Sequence, residues 1–227
     1  MLKQMLAASV AVAGVSVGAV TKIQPNEAAS QDTFVYAFSD YAKEPGTVLA
    51  PSGNVIAVTN SVNHTMLSLI RFDLGGATLV DGESAYLRLK IRDAYNPGSA
   101  NPSADFPARV KVHVATGAWD ESVTWNGQPT YNASEIVAEN VTGIDQWVSF
   151  DITHQVAAWL ASPLTNFGVV LTQDQRVHNG IKEVGVFFHG AGYGVESDRP
   201  MLEIIPEPAS LTLIGLAGAT LLRRRRV

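Results

Sequence analysis

Ala85-Tyr86-Leu87-Arg88-Leu89-Lys90-Ile91-Arg92 alternates apolar and polar side chains through eight residues. Arg109-Val110-Lys111-Val112-His113-Val114 repeats the pattern. A helix would wind both sets around its surface, whereas an extended strand sends them to opposite faces. Each segment therefore reads as a strand with one face in a core and one in solvent. Leu87, Leu89, Val110, Val112 and Val114 are the expected inward set.

Period two continues through most of residues 31–205. Further strands are expected at Asp32–Phe38, Val55–Val58, Met66–Asp73, Trp147–Asp151, Gly168–Thr172, Val184–Gly190 and Met201–Ile205. Clusters of Gly, Pro, Asn and Ser separate them. Many short strands with turn signals predict an all-β sandwich or jelly roll. One short helix is expected after Asp151. Asp151 or Thr153 caps it, and Val156, Trp159 and Leu160 share a face with Ile152. Asn96–Pro107 is a loop by composition. It joins the two basic strands, which are expected to pair with each other as antiparallel neighbours.

The ends of the chain read differently. Lys3 precedes a small and apolar run from Met5 to Val20. That order predicts a secretory signal peptide, residues 1–19, cleaved after Ala19 and followed by a linker at 20–30. At the other end, Pro206-Glu207-Pro208 precedes the apolar run Ala209–Leu222 and then Arg223-Arg224-Arg225-Arg226. Fourteen helical residues reach only about 21 Å, short of a hydrocarbon core of ~30 Å. The basic end is expected to stay cytoplasmic. Residues 206–227 resemble the PEP-CTERM sorting signal of exosortase-bearing Gram-negative bacteria. The N-terminal segment predicts export by the Sec route and processing by signal peptidase, and the resemblance of the tail implies recognition by an exosortase, cleavage near the Pro-Glu-Pro and a transient membrane anchor. The final destination would be the cell surface or extracellular matrix. Such bacteria commonly make exopolysaccharide.

The chain has no cysteine, so disulfides and thiolate chemistry are excluded. Between Ala28 and Ile205 there are 19 acidic and 10 basic residues, a net charge of −9. A domain this acidic is a poor match for phosphate backbones, and no nucleic-acid partner is expected. The basic residues are unevenly spread. Arg88, Lys90, Arg92, Arg109 and Lys111 lie on the outward faces of the two alternating strands, with Tyr86 and His113 beside them. This stripe of Tyr86, Arg88, Lys90, Arg92, Arg109, Lys111 and His113 is the expected ligand-binding face. Arginine offers paired donors to planar carboxylates, so acidic polysaccharide is the ligand class it suits. The bland alternative is a solvated face whose cations pair with neighbouring carboxylates.

Several segments together are similar to the DNRLRE domain, related to carbohydrate-binding module family 96. They are Arg71-Phe72-Asp73-Leu74, Ala85–Leu89, Thr116–Pro129 with its Trp119-Asp120-Glu121-Ser122-Val123-Thr124-Trp125-Asn126 core, Trp147–Thr153 with Trp159, and Arg199–Glu203. The resemblance implies a jelly-roll type β-sandwich and binding of alginate-like acidic polysaccharide. In that setting Trp119, Trp125, Trp147 and Trp159 are expected mostly to pack the core or clamp a loop. Tyr86 is then the better stacking platform.

Adjacent Asp120 and Glu121 diverge on an extended chain, so a structural role is expected rather than an acid/base pair. Asp32, Asp73, Asp120 and Asp151 could supply oxygen ligands to a structural calcium ion, the one cofactor considered. The five histidines make no closely spaced metal-binding pair. The expectation is an exported, non-catalytic glycan-binding protein. The rivals are a structural matrix protein without a ligand and a polysaccharide lyase. A lyase would need Tyr86, Arg88 and His113 to converge on one sugar.

Overall fold

The computed structural model describes residues 19–25, 31–38, 55–61, 64–92, 101–176 and 185–206. The signal-peptide segment up to residue 18 and nearly all of the C-terminal tail, including Glu207, Pro208 and Arg223–Arg226, lie outside these residues. The described chain is an all-β sandwich with one short helix. Its strands are β1 (Thr21–Ile23), β2 (Asp32–Phe38), β3 (Val55–Asn60), β4 (His64–Ile70), β5 (Glu83–Arg92), β6 (Ala108–Val114), β7 (Val137–Val141), β8 (Trp147–Asp151), β9 (Val169–Gln173), β10 (Gly185–His189) and β11 (Met201–Pro206). The helix α1 spans Thr153–Ala161.

All pairings are antiparallel. They run β1-β11-β5-β10-β3-β4-β9-β6-β7, with β2 on β4 and β8 on β5. The sheet folds over on itself, and the inner faces of its two halves meet. Leu87, Leu89 and Ile91 of β5 bury against Val110 and Val112 of β6, together with Phe150, Leu171, Phe188 and Leu202. The alternation in β5 is realised residue by residue: Ala85, Leu87, Leu89 and Ile91 are buried and the residues between them half-exposed. Of the expected inward set only Val114 is half-buried, at the end of its strand.

The two basic strands do not pair. One edge of β5 is taken by β8, the other by β11 and then β10. β6 lies between β7 and β9. The connection after β5 therefore crosses from one half of the sandwich to the other. This corrects the expectation that the basic residues form one stripe. With inner faces sharing a core, the outer faces of β5 and β6 look away from each other.

Two strands had no clear sequence signal. Thr21–Ile23, expected as linker, pairs with β11. Val137–Val141 is an edge strand whose Glu139 and Asn140 are both exposed, so its pattern does not alternate. The helix begins after Asp151 as expected, but neither Asp151 nor Thr153 is its cap: Ile152 holds the N-cap position, with no side-chain cap bond, and Thr153 is already the first helical residue. Asp151 Oδ1 accepts from the Thr153 N–H at 3.0 Å and from its hydroxyl at 2.7 Å. Thr153 Oγ1 in turn accepts from the Ala85 N–H at 2.9 Å, tying the start of the helix to β5. Val156 and Trp159 are buried against the core.

Candidate functional site

The outer face of the β6 half carries a groove of about 480 Å³. Lys111 and His113 of β6 and Thr172 of β9 line it, with Trp125 and Tyr131 and, further along, Thr65 and Leu67 of β4. β6 and β9 set Lys111 opposite Thr172, so these side chains share one face.

The aromatic residues come from the long connection between β6 and β7, held by side-chain bonds. Trp119 is buried and donates from Nε1 to the Phe167 carbonyl at 2.7 Å. With Val35, Leu67, Leu69 and Val170 it fills a second core on the outer face. Asp120 Oδ1 then accepts from the Ser122 N–H at 2.8 Å, and Thr124 Oγ1 from the Gly127 N–H at 3.1 Å. Two successive side-chain-stabilised turns thus lead away from the Trp119 anchor. Trp125 lies within the second of them, half-buried and packed against the second core. The Ser122 bonds hold the Asp120 carboxyl below its usual range. Its role is structural, as expected.

His113 is buried and uses both ring nitrogens. Nδ1 lies 3.0 Å from the Asn132 carbonyl and Nε2 lies 3.0 Å from the Thr172 hydroxyl. A carbonyl can only accept, so Nδ1 carries the proton and, in the neutral ring, Nε2 accepts from Thr172. His113 is thereby a positioning residue. It fixes the chain at Asn132 and holds Tyr131, whose ring centroid is 5.2 Å from its own. Tyr131 remains exposed at 37%.

The cations of this face are paired. Arg109 forms a two-pronged pair with Glu135 and a second contact to Asp174 at 3.3 Å. Lys111 pairs with Asp174 and lies 3.9 Å from Glu135. Glu135 is held below its ordinary pKa chiefly by the Arg109 hydrogen bond, and Asp174 chiefly by that of Lys111. The Glu135 bond correspondingly raises Arg109. Two cations meet two carboxylates, so this network is locally neutral.

The remaining stripe residues lie on the opposite face. Tyr86, Arg88 and Lys90 of β5 are level with Asp151, Ser149 and Trp147 of β8, respectively. Arg88 donates to Glu203 at 2.8 Å and sits 5.6 Å from the Trp147 ring centroid. Lys90 pairs with Asp198 at 3.0 Å. Arg92 closes the strand opposite Phe187. Tyr86 and Arg88 thus face away from His113, and the set a lyase would need is not brought together.

A second concavity, about 570 Å³, lies beside α1 and is lined by Arg71, Asp73, Gly76, Trp159 and Asn166. Its polar groups serve one another: Asp73 Oδ1 accepts from Gly75 N–H, and Asn166 bonds Phe72 and Gly168. The four aspartates considered for calcium sit in separate places, each accepting backbone N–H groups. Among the described residues no three His, Asp or Glu converge on a metal-sized space.

Sequence reasoning missed Trp125, Tyr131, Thr172 and Asp174 as parts of one site. Only the turn residues Asp120 and Thr124 hinted that the connection was ordered. A family model, carbohydrate-binding module family 96, matches residues 24–183. Among curated proteins none matches the chain.

Proposed function

The chain belongs to carbohydrate-binding module family 96, and from that premise we propose that it is an exported, non-catalytic protein that holds acidic polysaccharide in the groove over β6 and β9. The observation that carries this reading is the pairing of Trp125 and Tyr131 with the polar side chains of Lys111 and Thr172 around one open groove. Sugar rings present C–H faces to aromatic rings and hydroxyls to polar groups, and a groove of this composition meets both needs. Lys111 supports carboxylated polymers. Its present partner Asp174 is 43% exposed, so a uronate can replace one accessible carboxylate with another at little cost. Affinity then comes mainly from stacking and hydroxyl contacts, and its salt dependence is shallow. Export and sorting through the Pro206-Glu207-Pro208 tail complete the reading and would bring the domain to extracellular polymer.

Affinity electrophoresis of the purified chain in gels containing alginate or a neutral glucan tests it. The parent is expected to be retarded more by alginate. Tyr131→Ala should lose most of that retardation with an unchanged melting temperature, since the ring is exposed. A parent that migrates alike in both gels, or a Tyr131→Ala variant retarded as strongly as the parent, refutes the groove as an acidic-glycan site.

A further inference from the structure

We propose that the concavity beside α1 is a second sugar site, one that takes a neutral sugar residue at the end of a glycan chain. It is independent of the groove over β6 and β9 and of the acidic ligand proposed there.

Asp73 and Asn166 bond the backbone around this concavity, but two of its donors are left over. Trp159 of α1 is 2% exposed, and its Nε1 is buried with no hydrogen-bond acceptor among the described residues. A buried indole N–H costs stability until an acceptor reaches it. Arg71, half-buried just beyond β4, is the second. Its guanidinium lies over the Trp119 ring, 5.5 Å from the centroid, and pairs with no carboxylate among the described residues. Phe72, the next residue, is buried in the core, so Arg71 and Asp73 on either side of it both turn to the concavity. The walls are fixed. Asn166 Nδ2 donates to the Phe72 carbonyl at 2.9 Å and its Oδ1 accepts from the Gly168 N–H at 3.2 Å, pinning the connection between α1 and β9 to the chain beyond β4. Gly168 has a φ of 83°, and a Cβ there would stand 2.2 Å from the Ile70 carbonyl oxygen, so this approach requires glycine.

Charge selects the occupant. Arg71 and Asp73 offset each other, so a carboxylate held by Arg71 meets Asp73, and a cation held by Asp73 meets Arg71. A hydroxyl accepts and donates at once, and neighbouring hydroxyls on one ring answer both residues. A further hydroxyl oxygen answers the Trp159 N–H. Leu74, Ala77, Leu160 and Pro163 supply apolar wall for the C–H groups of a ring, and the volume of about 570 Å³ is in the range of small-ligand sites. Membership of a carbohydrate-binding family makes the polyhydroxylated ligand a sugar. Each glycosidic linkage consumes a hydroxyl, so the residue with the most of them free is the one at a chain end.

Titration of the isotope-labelled full chain with the methyl glycosides of glucose, mannose and galactose, followed by proton–nitrogen correlation NMR, reads the site directly. The indole resonance of Trp159, identified by its loss in Trp159→Phe, should shift saturably with at least one of the three. Asp73→Asn keeps an acceptor for the Gly75 N–H. It should weaken binding of that glycoside about tenfold, the scale of one hydrogen bond to a charged group, with an unchanged melting temperature. The uronate of the same sugar should bind more weakly than its neutral parent. Tyr131→Ala should leave the whole response intact, so that failure of this site and failure of the groove are read separately. A Trp159 resonance that stays in place with all three glycosides overturns the proposal, as does an Asp73→Asn variant that binds like the parent. A uronate that binds as tightly as the neutral sugar overturns the ligand class.

Discussion

Lys111 of β6 and Asp174, just beyond the end of β9, form an ion pair within the groove. The pair changes what the basic residues of β6 can do. A cation that looks free in the alternating strand already has a carboxylate partner, and a ligand must compete for it. The same holds for Arg109, held by Glu135 and Asp174. A net-acidic domain thus compensates its own cations on this face, leaving aromatic contact and hydroxyl recognition as the main sources of affinity.

Removing the competitor tests this directly. Asp174→Asn keeps the shape of the side chain and leaves Lys111 only its longer contact to Glu135, 3.9 Å, to compete with a ligand carboxylate. Alginate binding should tighten by roughly two- to fivefold, the scale of an exposed ion pair, and its salt dependence should steepen. Calorimetry at two salt concentrations checks both. Unchanged or weaker binding would mean that Lys111 does not meet the ligand.

The limits of the sequence are visible in these residues. Alternation assigned Leu87 and Leu89 to the core and Arg88 and Lys90 to the surface, because a strand's two faces are a local property. It could not say which strands flank β5, because pairing is decided by long-range packing. The basic residues of β5 and β6 therefore looked like one stripe and lie on opposite faces. The Trp119–Asn126 segment was recognisable as distinctive, yet the position of Trp125 depends on the Trp119 bond to Phe167 and on two turns. Tyr131 depends on a buried histidine. No periodicity encodes such placements.

The register of β5 has a stability consequence. Leu89 is fully buried between β5's neighbours, level with Val148 of β8, and belongs to the main core. Leu89→Ala should cost about 2–5 kcal/mol, the transfer loss plus the cavity left behind. Lys90→Ala, one residue on, removes a partly exposed ion pair and should cost less than about 1 kcal/mol. Denaturant melts of the two variants should separate clearly. A larger loss for Lys90→Ala than for Leu89→Ala would mean that the two faces of β5 are exchanged.

The C-terminal tail makes a cellular prediction. The Pro-Glu-Pro, apolar run and Arg cluster are proposed to hold the precursor briefly at the membrane. Deleting Ala209–Val227 should leave the domain folded and move it from the membrane fraction to the medium. An identical distribution of both forms in fractionated cells would remove the sorting role. The glycan reading would be untouched, since the groove is built without the tail.

His189 gives the fold a pH dependence. Its side chain is buried at the end of β10, stacked 3.8 Å from the Tyr193 ring centroid. Burial lowers its pKa below the ordinary 6.5, and the charges of Arg92 and Lys90 push the same way, against weaker opposition from Asp198 and Asp145. Nδ1 is buried without a hydrogen-bond partner among the described residues, so a proton there gains nothing to bond. The sign follows from linkage. The unfolded chain takes up the proton at the ordinary value, while the folded chain resists until a lower pH. Stability conferred by the neutral ring is complete above the ordinary value and is lost as pH falls through the folded one. The melting temperature should therefore begin to decline below about pH 6.5. His189→Phe keeps an aromatic ring against Tyr193 and removes the titrating group, so its melting temperature should fall less steeply between pH 7 and pH 5. Parallel slopes for parent and variant over that range would show that His189 does not control the acid sensitivity of the fold.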